Sequence, residues 1–172
     1  MNEILIAGKR LRLRRANLND LNYIMMLQYA PENLKFIVPF DETYHRKNIN
    51  SDNSEKMDVI IEELDSGNAV GYFMLRTLDS PSVEFTHVII GRKGIGYGRE
   101  ALQLLMKWSF EIKNFHRIWI DCKDYNKVAL HLYESLGFVR EGFLREILFT
   151  NGVYENLIVL GMLDSEYLDV RK

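Results

Sequence analysis

The chain has 172 residues, with 22 Lys or Arg set against 24 Asp or Glu, for a net charge of −2. That length suits a single domain spanning residues 1–172 with one sizeable core, and the charge leaves no basic footprint for nucleic acid. One cysteine, Cys122, excludes a disulfide framework, and the scattered His45, His87, His116 and His131 lack the spacing of metal ligands.

In chain order, Met1-Asn2-Glu3 opens no signal peptide and no apolar run approaches membrane-spanning length, so a cytoplasmic protein with no membrane partner is expected. Leu11-Arg12-Leu13-Arg14 alternates as a half-buried strand does, with the arginines of the stretch (Arg10, Arg12, Arg14, Arg15) read as its solvent face. Asn17, with Asp20 three residues on, predicts an N-cap and a helix ending by Pro31. Residues 32–55 carry aromatics, Pro39 and a polar run, and read as an irregular or short-helical excursion suited to substrate contacts. Met57 to Ile61, the Asp65-Ser66-Gly67-Asn68 turn and Ala69 to Leu75 predict a hairpin, and residues 83–90 a third strand. The pattern then becomes helix (99–113), strand (117–121) and a helix capped by Asn126 and closed by Gly137. Residues 146–150, Asn151-Gly152 and 153–163 form a terminal hairpin. The whole reads as a mixed α/β domain of α+β character, its central sheet mostly antiparallel and flanked by helices.

Lys93-Gly94-Ile95-Gly96-Tyr97-Gly98 joins the third strand to the long helix. Glycines at alternate positions bare backbone N–H groups at a helix's positive end, which suits a diphosphate. The same glycines could serve only a tight turn. A dinucleotide fingerprint needs Gly-x-Gly-x-x-Gly, and here the third glycine comes one residue early, although Asp121 does end the next strand. A P-loop needs Gly-Lys-Ser/Thr, and Gly96 is followed by Tyr97.

The stretch resembles the acetyl-CoA loop of the GNAT superfamily of N-acetyltransferases, Arg/Gln-x-x-Gly-x-Gly/Ala, with Lys93 in the first position. Asn126-x-x-Ala129-x-x-x-Tyr133-x-x-x-Gly137-Phe138 resembles that family's second signature, and the order of elements matches across nearly the whole chain. Glu141 to Glu146, with Asn151 to Tyr154, is similar to the subgroup of ribosomal-protein and spermidine acetyltransferases. The resemblance implies an acetyl-CoA-dependent acyltransferase without a metal, working by direct transfer to a primary amine. The acceptor is a polyamine, an amino sugar or another small amine; a protein N-terminus, as on a ribosomal protein, is the alternative. A CoA-binding regulatory module that has lost turnover is the rival from another class, and a homodimer is compatible with the resemblance.

The resemblance further implies that Val88, Ile89 and Ile90 line the acetyl and pantetheine arm along their strand edge. Lys93, Gly94, Ile95, Gly96, Tyr97, Gly98 and Arg99 would hold the diphosphate, and Asn126 would stand beside the arm. Tyr133 falls where many members place the general acid; its helix neighbours Ala129, Leu132 and Leu136 taken alone make it a core aromatic, and the match to the second signature reverses that reading. Glu84 falls on the strand where the family often has a carboxylate base. It is otherwise a solvated residue or an ion-pair partner. His87 is a second candidate base, and Cys122 is expected to be a small buried residue rather than a covalent acetyl carrier.

Overall fold

The computed structural model describes residues 3–51, 55–78 and 81–170. Its sheet runs in the order β1-β2-β3-β4-β5-β6-β8-β7. The first five strands, β1 (Ile4–Ala7), β2 (Leu11–Arg15), β3 (Lys56–Glu63), β4 (Ala69–Thr77) and β5 (Ser82–Ile90), form an antiparallel meander. The next strand, β6 (Arg117–Lys123), lies parallel to β5, because the intervening helix carries the chain back across one face of the sheet. The terminal hairpin, β7 (Val139–Thr150) and β8 (Val153–Leu163), then adds to β6 through β8. Its turn has Asn151 and Gly152 at φ 52° and 81°, the paired positive angles of a type I′ turn.

The helices divide between the two faces. On one face lie α4 (Tyr97–Lys107), a π turn (Trp108–Ile112) and α5 (Lys127–Ser135), packed over Val83, Phe85, Ile118, Ile120 and Leu160. The other face carries α1 (Leu21–Tyr29) and α3 (Glu42–Asn50), covering Ile60, Tyr72, Met74 and Ile89. A short α2 (Pro31–Leu34) and α6 (Asp164–Val170) complete the chain. Among the described residues no helix is long and apolar enough to cross a membrane.

The predicted N-cap is present, as a capping box. Asn17 Oδ1 accepts from Asn19 N, and Asp20 returns a bond to Asn17 N, opening a 3-10 turn that runs into α1. The excursion at 32–55 contains α2 and α3, the latter capped by Asp41, whose carboxylate accepts from Tyr44 N; positions 52–54 lie outside the described residues. The long helix starts two residues earlier than expected, at Tyr97, and the terminal hairpin's first strand starts at Val139 rather than 146.

One expectation is overturned. The arginine stripe is not a solvent face: Arg14 is only 5% exposed, and its guanidinium grips both Asp20 oxygens at 2.7 Å while Nε bonds Glu62. The carboxylates come from β3 and from the 3-10 turn ahead of α1, which close over Arg14, while the Arg10 and Arg12 side chains stay partly in water. Arg12 joins Glu62, and Arg10 pairs with Glu100 at 2.7 Å. A buried charge persists only when paired and hydrogen-bonded, and Glu62 and Asp20 do both for Arg14.

Candidate active site

Parallel strands β5 and β6 pair at only three positions, Ser82↔Arg117, Val83↔Ile118 and Glu84↔Trp119, and then diverge. Beyond Glu84, β5 is paired on its other edge with β4 alone, through a bulge that sets Thr86 outside the register. The fork leaves backbone N–H and C=O groups of residues 86–90 facing a cleft of about 820 Å3. The segment 35–40 closes one side of it and α5 the other.

At the cleft's far end lies the glycine turn. Gly94 and Gly96 have φ of 82° and 84°, a region that excludes ordinary side chains, and space beside Gly94 is open. Gly96 begins α4 with no side chain capping it, so first-turn N–H groups point outward where an anion can take them. Three cations on the cleft side stand around this turn: Arg92, bonded to Glu63 at 2.8 Å; Lys93, bonded to Asn33 Oδ1 at 2.9 Å; and Arg99, bonded to Ser135 Oγ at 2.6 Å. Bare amides, a helix N-terminus and three cations fit a diphosphate.

Of the residues expected to hold the cofactor, Val88, Ile89, Ile90, Lys93, Gly94, Gly96, Tyr97, Gly98, Arg99 and Asn126 line the cleft. Ile95 does not; its side chain is exposed outside the cleft and its carbonyl accepts from Arg10 Nη1 at 3.0 Å. Asn126 caps α5 as predicted, accepting from Ala129 N at 3.3 Å.

Tyr133 satisfies both of its readings. Its ring is 5% exposed and lies 6.0 Å from Phe138 in the core, yet it also forms part of the cleft wall. Its hydroxyl has no hydrogen-bond partner among the described residues, and burial, with Cys122 and Asp121 adding, raises its pKa so that it stays protonated. Burial likewise pushes the Cys122 thiol up to about 12, with Asp121 contributing, which leaves it a poor nucleophile. Glu84 is the ion-pair partner: Arg76 meets its Oε2 at 2.5 Å (Nη2) and 2.6 Å (Nε) at the root of the fork. His87 lines the cleft with its pKa drawn down to about 4, by burial first and His45 second.

Two features escaped the sequence reading. Asp121 stands on β6 two residues past the last paired position, on the face of Trp119 and Lys123 and opposite Ile118, Ile120 and Cys122. The alternation was there to read, but only the splay of the strands turns that carboxyl into a cleft residue. The second is a buried relay beneath the 35–40 wall. Phe40 N donates to Gln28 Oε1 (3.1 Å), and Gln28 Nε2 donates to His45 Nε2 (2.7 Å), leaving the ring proton on Nδ1 toward Asp58 Oδ2 (3.2 Å). Tyr72 and Asn48 complete the Asp58 carboxylate at 2.8 and 2.9 Å. Asp41, Glu42, Glu62 and Glu63 all serve caps or ion pairs.

Among known proteins, the Acetyltransferase (GNAT) domain family matches residues 10–139. The chain is 32% identical to spermidine N(1)-acetyltransferase of Vibrio cholerae over 173 aligned positions, covering 94% of this chain and 98% of that protein. It is 26% identical to the uncharacterized N-acetyltransferase p20 of Bacillus licheniformis, over 92% and 96% of the two chains. The crystal structure of the Vibrio cholerae spermidine N-acetyltransferase in complex with CoA and spermine superposes with a TM-score of 0.83 at 29% identity, covering 94% of this chain and 99% of that one.

Proposed function

The chain belongs to the GNAT acetyltransferase family, and we propose that, within its acetyl-CoA-dependent N-acetyltransferase activity, the acceptor is a small polycationic amine of the polyamine class. The observation that carries this reading is the division of charge along the cleft. Arg92, Lys93 and Arg99 surround the glycine turn, while at the fork Glu84 is paired with Arg76, Lys123 with Glu155, and the Asp121 carboxyl has no ion pair among the described residues. An anion is drawn to one end and an ammonium to the other. The relatives named for spermidine, one of them crystallised with CoA and spermine, support the same choice.

Acetyl-CoA supplies the activated acetyl thioester. The Gly94–Gly96 amides, the first turn of α4, Lys93 and Arg99 hold the diphosphate. The open edge of β5 at Val88, Ile89 and Ile90 pairs with the amide-bearing arm as an added strand would, with Asn126 beside it. One N–H of that edge stabilises the oxyanion that develops during attack. Tyr133 gives its hydroxyl proton to the departing sulfur, and Glu84, anchored by Arg76, draws the acceptor's ammonium toward the thioester. Cys122 takes no covalent part.

The test is a thermal-shift titration with acetyl-CoA, followed by thiol release across spermidine, spermine, a diamine, an amino sugar and a peptide with a free N-terminus. The highest kcat/KM is expected with the polyamines. Turnover confined to the peptide would move the acceptor to a protein N-terminus. Binding of acetyl-CoA without thiol release from any amine would leave a CoA-binding module.

A further inference from the structure

The fork holds more unsatisfied acceptor capacity than an enzyme needs for packing. On the face of the sheet that carries Tyr72 and Phe40, β5 contributes Glu84 and His87, and β6 contributes Asp121. Glu84 is occupied by Arg76. Lys123, next along β6 on the same face, is occupied by Glu155 at 2.7 Å and by the Lys35 carbonyl at 3.1 Å. Asp121 has neither a hydrogen bond nor an ion pair among the described residues.

His87 adds an independent sign of a missing donor. It is 6% exposed, its ring lines the cleft, and its Nδ1 has no partner. The imidazole is neutral at physiological pH and has a backbone hydrogen bond to Val38, so its proton sits on Nε2 and Nδ1 presents a lone pair. A free carboxylate and an orphaned lone pair thus line the same cleft, and among the described residues neither has a hydrogen-bond donor of its own. An ammonium brings three N–H donors.

We infer that Asp121 is the group that takes the proton which the acceptor's ammonium must shed before it can attack. This rests on the N-acetyltransferase reading above. An N–H bond of the ammonium breaks as an O–H bond forms on Asp121. The freed lone pair forms the C–N bond at the thioester carbon, and the C–S bond breaks. The sulfur takes the hydroxyl proton of Tyr133, which regains one from the new amide nitrogen. Asp121 returns its proton to water at the cleft mouth, so each turnover yields an amide, a free thiol and one proton.

Asp121 is better placed for this than Glu84. The charges of Arg76 from β4 and Glu84 from β5 act on it, its own charge acts on Cys122 and on Tyr133 of α5, and His87 and Lys123 line the same cleft. Burial raises its pKa to about 6, with Glu84 adding and Arg76 opposing. It is therefore ionised at neutral pH and close to taking a proton, the condition under which a general base works best.

The experiment is the pH profile of kcat/KM for spermidine in wild type, Asp121→Asn and Asp121→Glu, with acetyl-CoA saturating. Wild type should rise tenfold per pH unit up to a break near 6 and then level. Asp121→Asn should lose about 10²-fold or more at pH 7 and climb through pH 8 without that break, because only amine that arrives neutral can react. Asp121→Glu should restore part of the activity and a break. Binding of acetyl-CoA should be unchanged in both. Asp121→Asn should also be the more heat-stable protein above pH 6: a carboxyl raised in the folded state favours folding at low pH and opposes it once ionised. A break near 6 that persists in Asp121→Asn would overturn the assignment while leaving the acetyltransferase reading intact. A wild type that binds acetyl-CoA but releases no thiol with any amine would overturn both.

Discussion

Replacing Tyr133 with Phe isolates the hydroxyl from the ring. The ring is core, packed beside Phe138, and Phe preserves that packing. The hydroxyl has no hydrogen-bond partner among the described residues, so its removal forfeits no bond and thermal stability should hold or rise slightly. The kinetic cost follows from the neighbouring thiol. Burial moves Cys122 from an ordinary 9.0 to about 12. A thiolate leaving against the same wall meets a similar penalty, on the order of 4 kcal/mol or a thousandfold in rate if nothing protonates it. Tyr133 can recover only part of this, since its own proton is held more tightly for the same reason. The expected loss is therefore about 10²–10³-fold in turnover, inside the range general acids contribute. Thiol release at saturating acetyl-CoA and acceptor measures it, with a melting curve on the same sample. Turnover within about threefold of wild type in a fully folded variant would refute the argument and return Tyr133 to the core alone.

Gly96→Val forces a β-branched side chain into φ 84° and sets a Cβ near Arg10 Nη2 (3.4 Å), so it should abolish the acetyl-CoA thermal shift, worth about 2.7 kcal/mol at a hundredfold excess over Kd, while circular dichroism still reports the fold. Lys93→Ala should raise KM for acetyl-CoA several-fold with little change in saturated turnover, because a contact remote from the reacting carbon binds ground and transition states alike; a collapse of turnover would show another role. Asp58→Asn turns an amide donor toward Tyr72, Asn48 or His45 and should cost about 3 kcal/mol in urea unfolding. It should also raise KM for the acceptor but not for acetyl-CoA, since the relay through Gln28 fixes Phe40; equal effects on both would remove the relay's positioning role.

The elements that the chain announces most clearly are those fixed by local chemistry. Asn17 and Asp20, the Gly94–Gly96 turn, Asn126, and Asn151-Gly152 each settle a cap or a turn within a few residues, and each stands where expected. What stayed hidden depends on partners distant in sequence. Arg14 reads as a solvent-facing cation until Glu62, 48 residues on, and Asp20 close over it. Asp121 reads as the end of a strand until β5 and β6 part. The segment 32–55 reads as irregular because α2 and α3 are too short to show a period, and their anchors are Leu27, Gln28 and Asp58. Glu84 carried two readings forward, and its bond to Arg76 is one of them.

The fork that opens the cleft is also a seam. Strands β1 to β5 form one antiparallel group and β6, β8 and β7 another, whereas the two groups share a backbone ladder of only three residue pairs, against seven between β4 and β5 and seven between β6 and β8. That ladder joins residues 82–84 to 117–119 across the whole of α4, so it returns few backbone hydrogen bonds for the loop it closes. The junction is therefore a weak line across the middle of the sheet. A molecule lying in the fork touches residues of both groups and so acts as a stitch. Unfolding that begins with the parting of β5 from β6 should slow in its presence, which gives the active site a second use as the clasp of its own fold.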